Sequence, residues 1–302
     1  MRRSHGIRTF FGLGLAVLFA AGGCAFDGTY ADEDIGTEEQ EILNGNPGEN
    51  TGMGADVSVL ITYNSEPTCS GVLVQRNWVL TSAHCVLSNS SVGPNDPGLL
   101  EVHHKGLPLR AKWLKKHPWY NAADKDHDVA LIQLTFSALG VPSSNGWTTY
   151  LADWVPASAF NQQQLRCYGY GDSLPDWGAG TLRTADLKVV STTSNSLDFV
   201  KNSAGQNLAE ADSGGGCFMK FPPIGEPSNL PYLVGVNRST WSTGSRADYA
   251  PVYKQWIEET IQDKRRFDLR QAMKVDPCAS GWWNCIGPST VPADEDEENP
   301  VQ

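Results

Sequence analysis

At 302 residues the chain is long enough for one large domain or two small ones with a sizeable core. A hydrophobic content of 40%, with 30 Gly and 18 Pro and few long helical patterns, favours a turn-rich, mostly β architecture. The net charge of -11 is concentrated: without the twelve acids of 25–41 and 294–298 and without Arg2, Arg3 and Arg8, 22 acids face 20 bases, so the body is near neutral and has no basic stripe suited to nucleic acid.

Arg2, Arg3 and Arg8 precede an apolar run over 10–21. At about a dozen residues the run is short of the roughly 20 that span a bilayer. The pattern predicts an export signal over 1–24. Cys24 closes the segment A-G-G-C, which resembles a bacterial lipobox, although Ala21 stands where a larger aliphatic residue is usual. Lipidation of Cys24 would attach the chain to a membrane; the alternative is plain cleavage nearby and secretion. Export implies an oxidising compartment. Of seven cysteines, six would then remain for three bridges.

Residues 25–41 carry seven acids and no Lys or Arg, the composition of a disordered propeptide or spacer. Strands are predicted over 57–63, 71–74, 78–81 and 129–134. A second group is predicted over 165–170, 187–190, 197–200 and 233–237. Residues 147–156 separate the two groups. Residues 253–261 have helical spacing, with Trp256, Ile257 and Ile261 able to share a face. The chain ends in a segment with Cys278, Trp282, Trp283 and Cys285, followed by an acidic tail. Two packed barrels and a sandwich both fit this pattern of strands.

Three segments carry chemistry. W-V-L-T-S-A-H-C places His84 just after a buried strand. H-D-V-A-L-I-Q-L places Asp128 at the mouth of another. A-D-S-G-G-G places Ser213 in a glycine loop. A serine hydroxyl is a poor nucleophile at neutral pH. It needs a base within reach, and that base needs an acid to fix its tautomer. His103, His104, His117 and His127 lack the strand and the neighbouring cysteine of His84. Asp124, Asp126 and Asp128 alternate like a calcium loop, but Val129 and Thr135 occupy the positions where such a loop needs Gly and Glu. No metal or cofactor is expected.

C-S-G-V-L-V with W-V-L-T-S-A-H-C, then D-V-A-L-I-Q-L, then D-S-G-G-G, in the order His, Asp, Ser, resembles the chymotrypsin and trypsin family of serine proteases. The resemblance covers 42–264 and leaves 265–302 as an extension. It implies an all-β fold of two six-stranded antiparallel barrels with a C-terminal helix, followed here by a short disulfide-bearing tail. It implies His84 as general base, Asp128 as its orienting acid and Ser213 as nucleophile, acting on protein or peptide substrates. The Ala211 and Ser213 N–H groups would form the oxyanion hole. Cys69 would pair with Cys85, and Cys167 with Cys217. Cys278 and Cys285 are then left to each other. Q-E-I-L-N-G resembles the family's mature start. Cleavage before Ile42 would free an ammonium group to pair with Asp212, and the activating protease would have to accept Glu41. The other reading of 25–41 is a plain spacer.

The sequence departs from the family at several positions. Ala211 replaces a glycine, which puts an oxyanion donor at risk. Ala209 stands where the family has a cysteine beside the specificity pocket. Asn207 falls at the expected base of that pocket, so a neutral or apolar side chain is expected before the cut. Residues 235–239 should form the substrate-binding edge and bring Ser239 to the pocket; Arg238 is unusual there. Asn237-Arg238-Ser239 also matches a glycosylation sequon. A second functional reading is a binding module that kept the fold with weak activity or none.

Overall fold

The computed structural model describes residues 52–86, 99–171, 179–221 and 229–274, with side chains to 270. Cys24, Glu41, Ile42, Cys278 and Cys285 lie outside them, as do the predicted signal, acidic segment and tail.

A short helix α1 (Met53–Val57) leads into β1 (Ser58–Tyr63), β2 (Glu66–Gln75) and β3 (Trp78–Thr81). Helix α2 (Ala83–Val86), β4 (Leu100–His104), β5 (Leu107–Lys116) and β6 (Ala130–Leu134) follow. These strands close a barrel in the order β1-β2-β3-β6-β5-β4. Two hairpins set its register. Asn64 and Ser65 between β1 and β2, and Lys105 and Gly106 between β4 and β5, all have positive φ, as two-residue turns matched to strand twist require. Val59, Ile61, Val72, Leu80, Val102, Leu131 and Ile132 fill the interior and are completely buried.

The second group contains β7 (Tyr150–Leu151), β8 (Gln164–Gly169), β9 (Arg183–Thr192), β10 (Ser196–Val200), β11 (Gly216–Met219), β12 (Tyr232–Trp241) and β13 (Gly244–Tyr249). Six of them run β11-β8-β9-β10-β13-β12, and pairing of β11 with β12 closes this second barrel. The short β7 adds in parallel beside β12. The sandwich alternative falls, because both sheets close on themselves.

The C-terminal helix α3 (Lys254–Lys274) follows a 3-10 turn at Ala250–Tyr253. It is longer than the predicted 253–261 and continues to residue 274, past the expected family boundary at 264. The expected face holds: Ile257 and Ile261 are buried and Trp256 is partly so. They pack on the first barrel's core together with Tyr253, so the helix of the second half locks onto the first.

His117 sits at this junction. Its ring stacks on His127 at 5.2 Å and meets the edges of Tyr253 and Trp256. Burial pushes its pKa from 6.5 down to about 4, with the His127 charge adding to the effect. The unfolded chain therefore binds a proton that the fold refuses between these values. Stability should rise as pH increases from about 4 to 6.5 and be lost in the reverse direction, by on the order of 1–2 kcal/mol. Denaturant unfolding of wild type and His117→Phe across that range checks this: the slope should flatten in the variant.

Candidate active site

Thr81 ends β3, and α2 begins two residues later, so His84 stands on a single helical turn at the barrel's mouth. The Cys69–Cys85 disulfide, with Cα atoms 6.0 Å apart, ties this turn to β2. The His84 backbone N–H donates to Asp128 Oδ1 at 2.9 Å, and its ring Nδ1 lies 2.6 Å from Asp128 Oδ2. Asp128 is completely buried, while the His84 side chain keeps 25% of its surface exposed. A carboxylate only accepts hydrogen bonds. Nδ1 therefore carries the proton, and Nε2 is left with a lone pair.

Ser213 lies on the loop between β10 and β11, half-buried. Its carbonyl accepts from the Ser70 N–H at 2.8 Å and lies 3.6 Å from Cys85 Sγ. The Gly214 N–H donates to the Asn237 carbonyl at 2.7 Å, and that same oxygen receives the Ser82 hydroxyl at 2.8 Å. The residue after Ser213 and the second residue before His84 thus share one oxygen atom. In this way the fold brings the three segments together across the line where the barrels meet.

Ser70 was not singled out from the sequence, yet it holds the serine loop from the first barrel. Its hydroxyl donates to the Ala211 carbonyl and accepts the Tyr170 N–H, both at 2.8 Å. Its place beside Cys69 in C-S-G is the one signal the sequence offers.

Ala211 has φ 61, the left-handed conformation that its glycine counterpart takes at no cost. Among the described residues, neither its N–H nor that of Ser213 has an internal acceptor. For a residue with a Cβ this conformation costs about 1 kcal/mol. Ala211→Gly should therefore raise unfolding free energy by about 0.5–1 kcal/mol, read from paired denaturant curves. An unchanged or lower midpoint would contradict the strain.

Asp212 is completely buried. Its Oδ1 accepts the Gly171 N–H at 2.8 Å and its Oδ2 the Ala209 N–H at 2.9 Å. Its expected partner Ile42 lies outside the described residues. Asn207 is also completely buried. Its amide nitrogen donates to Thr240 Oγ1, the Trp241 carbonyl and the Gly244 carbonyl at 2.8–3.1 Å, which binds it to the β12–β13 hairpin. Its Oδ1 has no partner among the described residues. Ser239 is half-buried on β12 beside a bulge. Asn237 is 1% exposed, so its sequon cannot accept a glycan in the folded chain.

Cys167 and Cys217 face each other on paired strands and are bridged. Cys69, His84 and Cys85 form a compact trio of metal-ligating types, but both sulfurs are spent on the disulfide.

Residues 42–257 match the family model described as Trypsin. The chain belongs to the trypsin family of serine proteases. With it the chain joins the serine endopeptidases, a class of hydrolase. Individual relatives are distant. Serine protease 1 of Drosophila melanogaster is 24% identical over 245 residues, covering 72% of this chain and 84% of that protein. Human Kallikrein-2 is 31% identical over 124 residues, 33% of this chain and 48% of the relative. Bovine Proproteinase E is 30% identical over 117 residues, 37% of this chain and 42% of that protein. The chain thus spans less than half the length of two of these relatives. Family membership gives the two disulfide-stapled barrels their meaning: the mouth where His84, Asp128 and the Ser213 loop meet is the place to look for chemistry.

Proposed function

We propose that the chain hydrolyses peptide bonds in protein substrates, with His84, Asp128 and Ser213 as its triad. The Ser213 hydroxyl attacks the scissile carbonyl carbon as its proton passes to His84 Nε2. The carbonyl oxygen takes on negative charge, which the Ala211 and Ser213 N–H groups would receive. Breaking the C–N bond returns the proton from His84 to the leaving amine. A water molecule, deprotonated by His84, then attacks the acyl-enzyme, releasing the new carboxyl group and restoring Ser213. The observation that carries this reading is the 2.6 Å contact between His84 Nδ1 and the buried Asp128, which leaves Nε2 as a base.

Activation by cleavage between Glu41 and Ile42 belongs to the same reading. Asp212 is completely buried next to Ser213, and the freed Ile42 ammonium would pair with its carboxylate. The 1–24 signal would export the chain, secreted or held at a membrane through Cys24. A neutral or apolar residue before the cut would suit a pocket without an acid at position 207, where Asn207 is buried and its amide is committed to the hairpin.

The chain, cut before Ile42, should be labelled by a fluorophosphonate probe, and Ser213→Ala should not. Labelling equal in both, or absent after confirmed cleavage, would favour the binding module.

A further inference from the structure

Behind Asp128 lies a second charged cluster that the triad chemistry does not use. Arg238, on β12, is 7% exposed, and Asp248, on β13, is completely buried. Arg238 Nη1 lies 3.3 Å from Asp248 Oδ1 and 3.9 Å from Asp126 Oδ1. Asp126 also accepts the Asn195 side-chain amide at 2.8 Å. The Tyr253 hydroxyl donates to Asp248 Oδ1 at 3.3 Å, and its ring meets His127 at 5.9 Å. Thus both residues before Asp128 have holders in this cluster: Asp126 has Arg238, in addition to Asn195 at shorter range, and His127 has Tyr253, in addition to the closer rings of His117 and Trp119. Asp248 joins the two holders.

A buried ion pair is expensive, and hydrophobic replacements of similar volume often do as well for stability. Here it also leaves Arg238 Nε and Asp248 Oδ2 without partners among the described residues. His127 stands at φ 51, a conformation that persists only when its surroundings hold it. The last of these costs falls on the segment that delivers Asp128, and the others on the residues packed against it.

We propose that Arg238 and Asp248 are positioning residues, which clamp residues 126 and 127 from the second barrel and so fix the carboxylate that orients His84. The proposal rests on the triad reading above. The clamp also carries charge. Asp248 is faced by Arg238 from β12, Tyr253 from the turn before α3, Asp126 and Asp128 from the loop after β5, and Arg246 along its own strand. Arg246 is itself engaged by Asp198. Burial pushes the Asp248 carboxyl up to about 7, Arg238 opposes the rise and Asp128 adds to it. Its ionised form is close enough to Asp128 to be felt at the triad.

The test uses the chain cut before Ile42 and the rate of fluorophosphonate labelling between pH 5 and 9. Arg238→Met should slow labelling roughly ten- to hundredfold by loosening the Asp128 segment, and Arg238→Lys should recover most of the loss. Asp248→Asn removes a group that ionises at about 7 and so carries its charge only on the alkaline side. The profiles of variant and wild type should therefore coincide below about pH 6 and diverge above about pH 8. Thermal melting confirms that each variant is folded. Folded variants with wild-type rates and profiles would overturn the proposal. So would losses, Arg238→Lys included, that follow only the folded fraction with an unmoved profile. Failure of the wild type to label at Ser213 would instead overturn the triad reading.

Discussion

Asp128→Asn should lower kcat/KM by about 10⁴-fold, the size such a change has in Ser-His-Asp sites. The reason is the tautomer of one ring. In the wild type the buried carboxylate accepts from both the His84 backbone N–H and Nδ1. Asparagine can keep its oxygen on the backbone N–H, but its NH₂ then faces Nδ1. The ring must accept there, so its proton moves to Nε2, where Ser213 needs a base. Shape and volume hardly change. A fluorogenic peptide assay beside a melting curve should therefore separate the two effects: activity collapses while the melting temperature moves by a few degrees. Loss of less than tenfold would mean that Asp128 does not govern His84, and the proposed mechanism would fail.

Gly214→Ala should unfold the site outright, with a loss of at least about 4 kcal/mol. Gly214 has φ 83, and a Cβ added there would lie 2.1 Å from Thr81 Oγ1, 2.3 Å from the Ser70 carbonyl oxygen and 2.9 Å from the Ser82 N. None of these can withdraw cheaply. Thr81 Oγ1 donates to that same Ser70 oxygen at 2.7 Å, and the Gly214 N–H is committed to Asn237. Gly146→Ala is the control: φ is 84, yet nothing lies within 4 Å of the added atom. It should cost only the left-handed strain of about 1–2 kcal/mol. Denaturant unfolding of the two variants should therefore differ by several-fold, and Gly214→Ala should lose fluorophosphonate labelling as well. Equal small costs would mean that the barrels do not meet as closely at Gly214 as described.

The strands that were legible in advance are those with dense apolar runs, such as β3, β6 and β12. Others were not. In β4 every second side chain is buried, yet L-E-V-H-H reads as polar because both histidines count against it. One of them, His104, is nevertheless inside, bonded to the Asp56 carbonyl at 2.8 Å. In β5, L-P-L-R-A-K-W-L-K-K is mostly solvent-facing, so four cations and a proline hide a strand that is held by its neighbours. In β13, G-S-R-A-D-Y hides Arg246, which pairs with Asp198 on β10, and Asp248, which pairs with Arg238. The charges that argue against a strand are cancelled only after the sheet has formed. The long α3 was shortened in prediction because its later turns carry polar residues. Arg238 looked anomalous from the sequence alone, but nothing in the sequence pointed to Asp248 as its partner.

What the amino-acid sequence determined by itself was local: His84 after an apolar strand, Asp128 before another, Ser213 among glycines, and cysteines placed for bridging. Each depends on neighbours a few residues away, and those are written in the chain. The tertiary structure alone decided which distant groups meet: that Ser70 holds the serine loop, that Asn207 spends its amide on a hairpin, and that a buried Arg238–Asp248 pair grips the segment before Asp128. Barrel packing brings together residues more than a hundred positions apart, such as Ser70 and Ala211 or Arg238 and Asp126, and no local window contains both. Arg238 and Asp248 are only ten positions apart, but which residues face each other depends on the register of β12 and β13, which shifts at a bulge between Asn237 and Ser239.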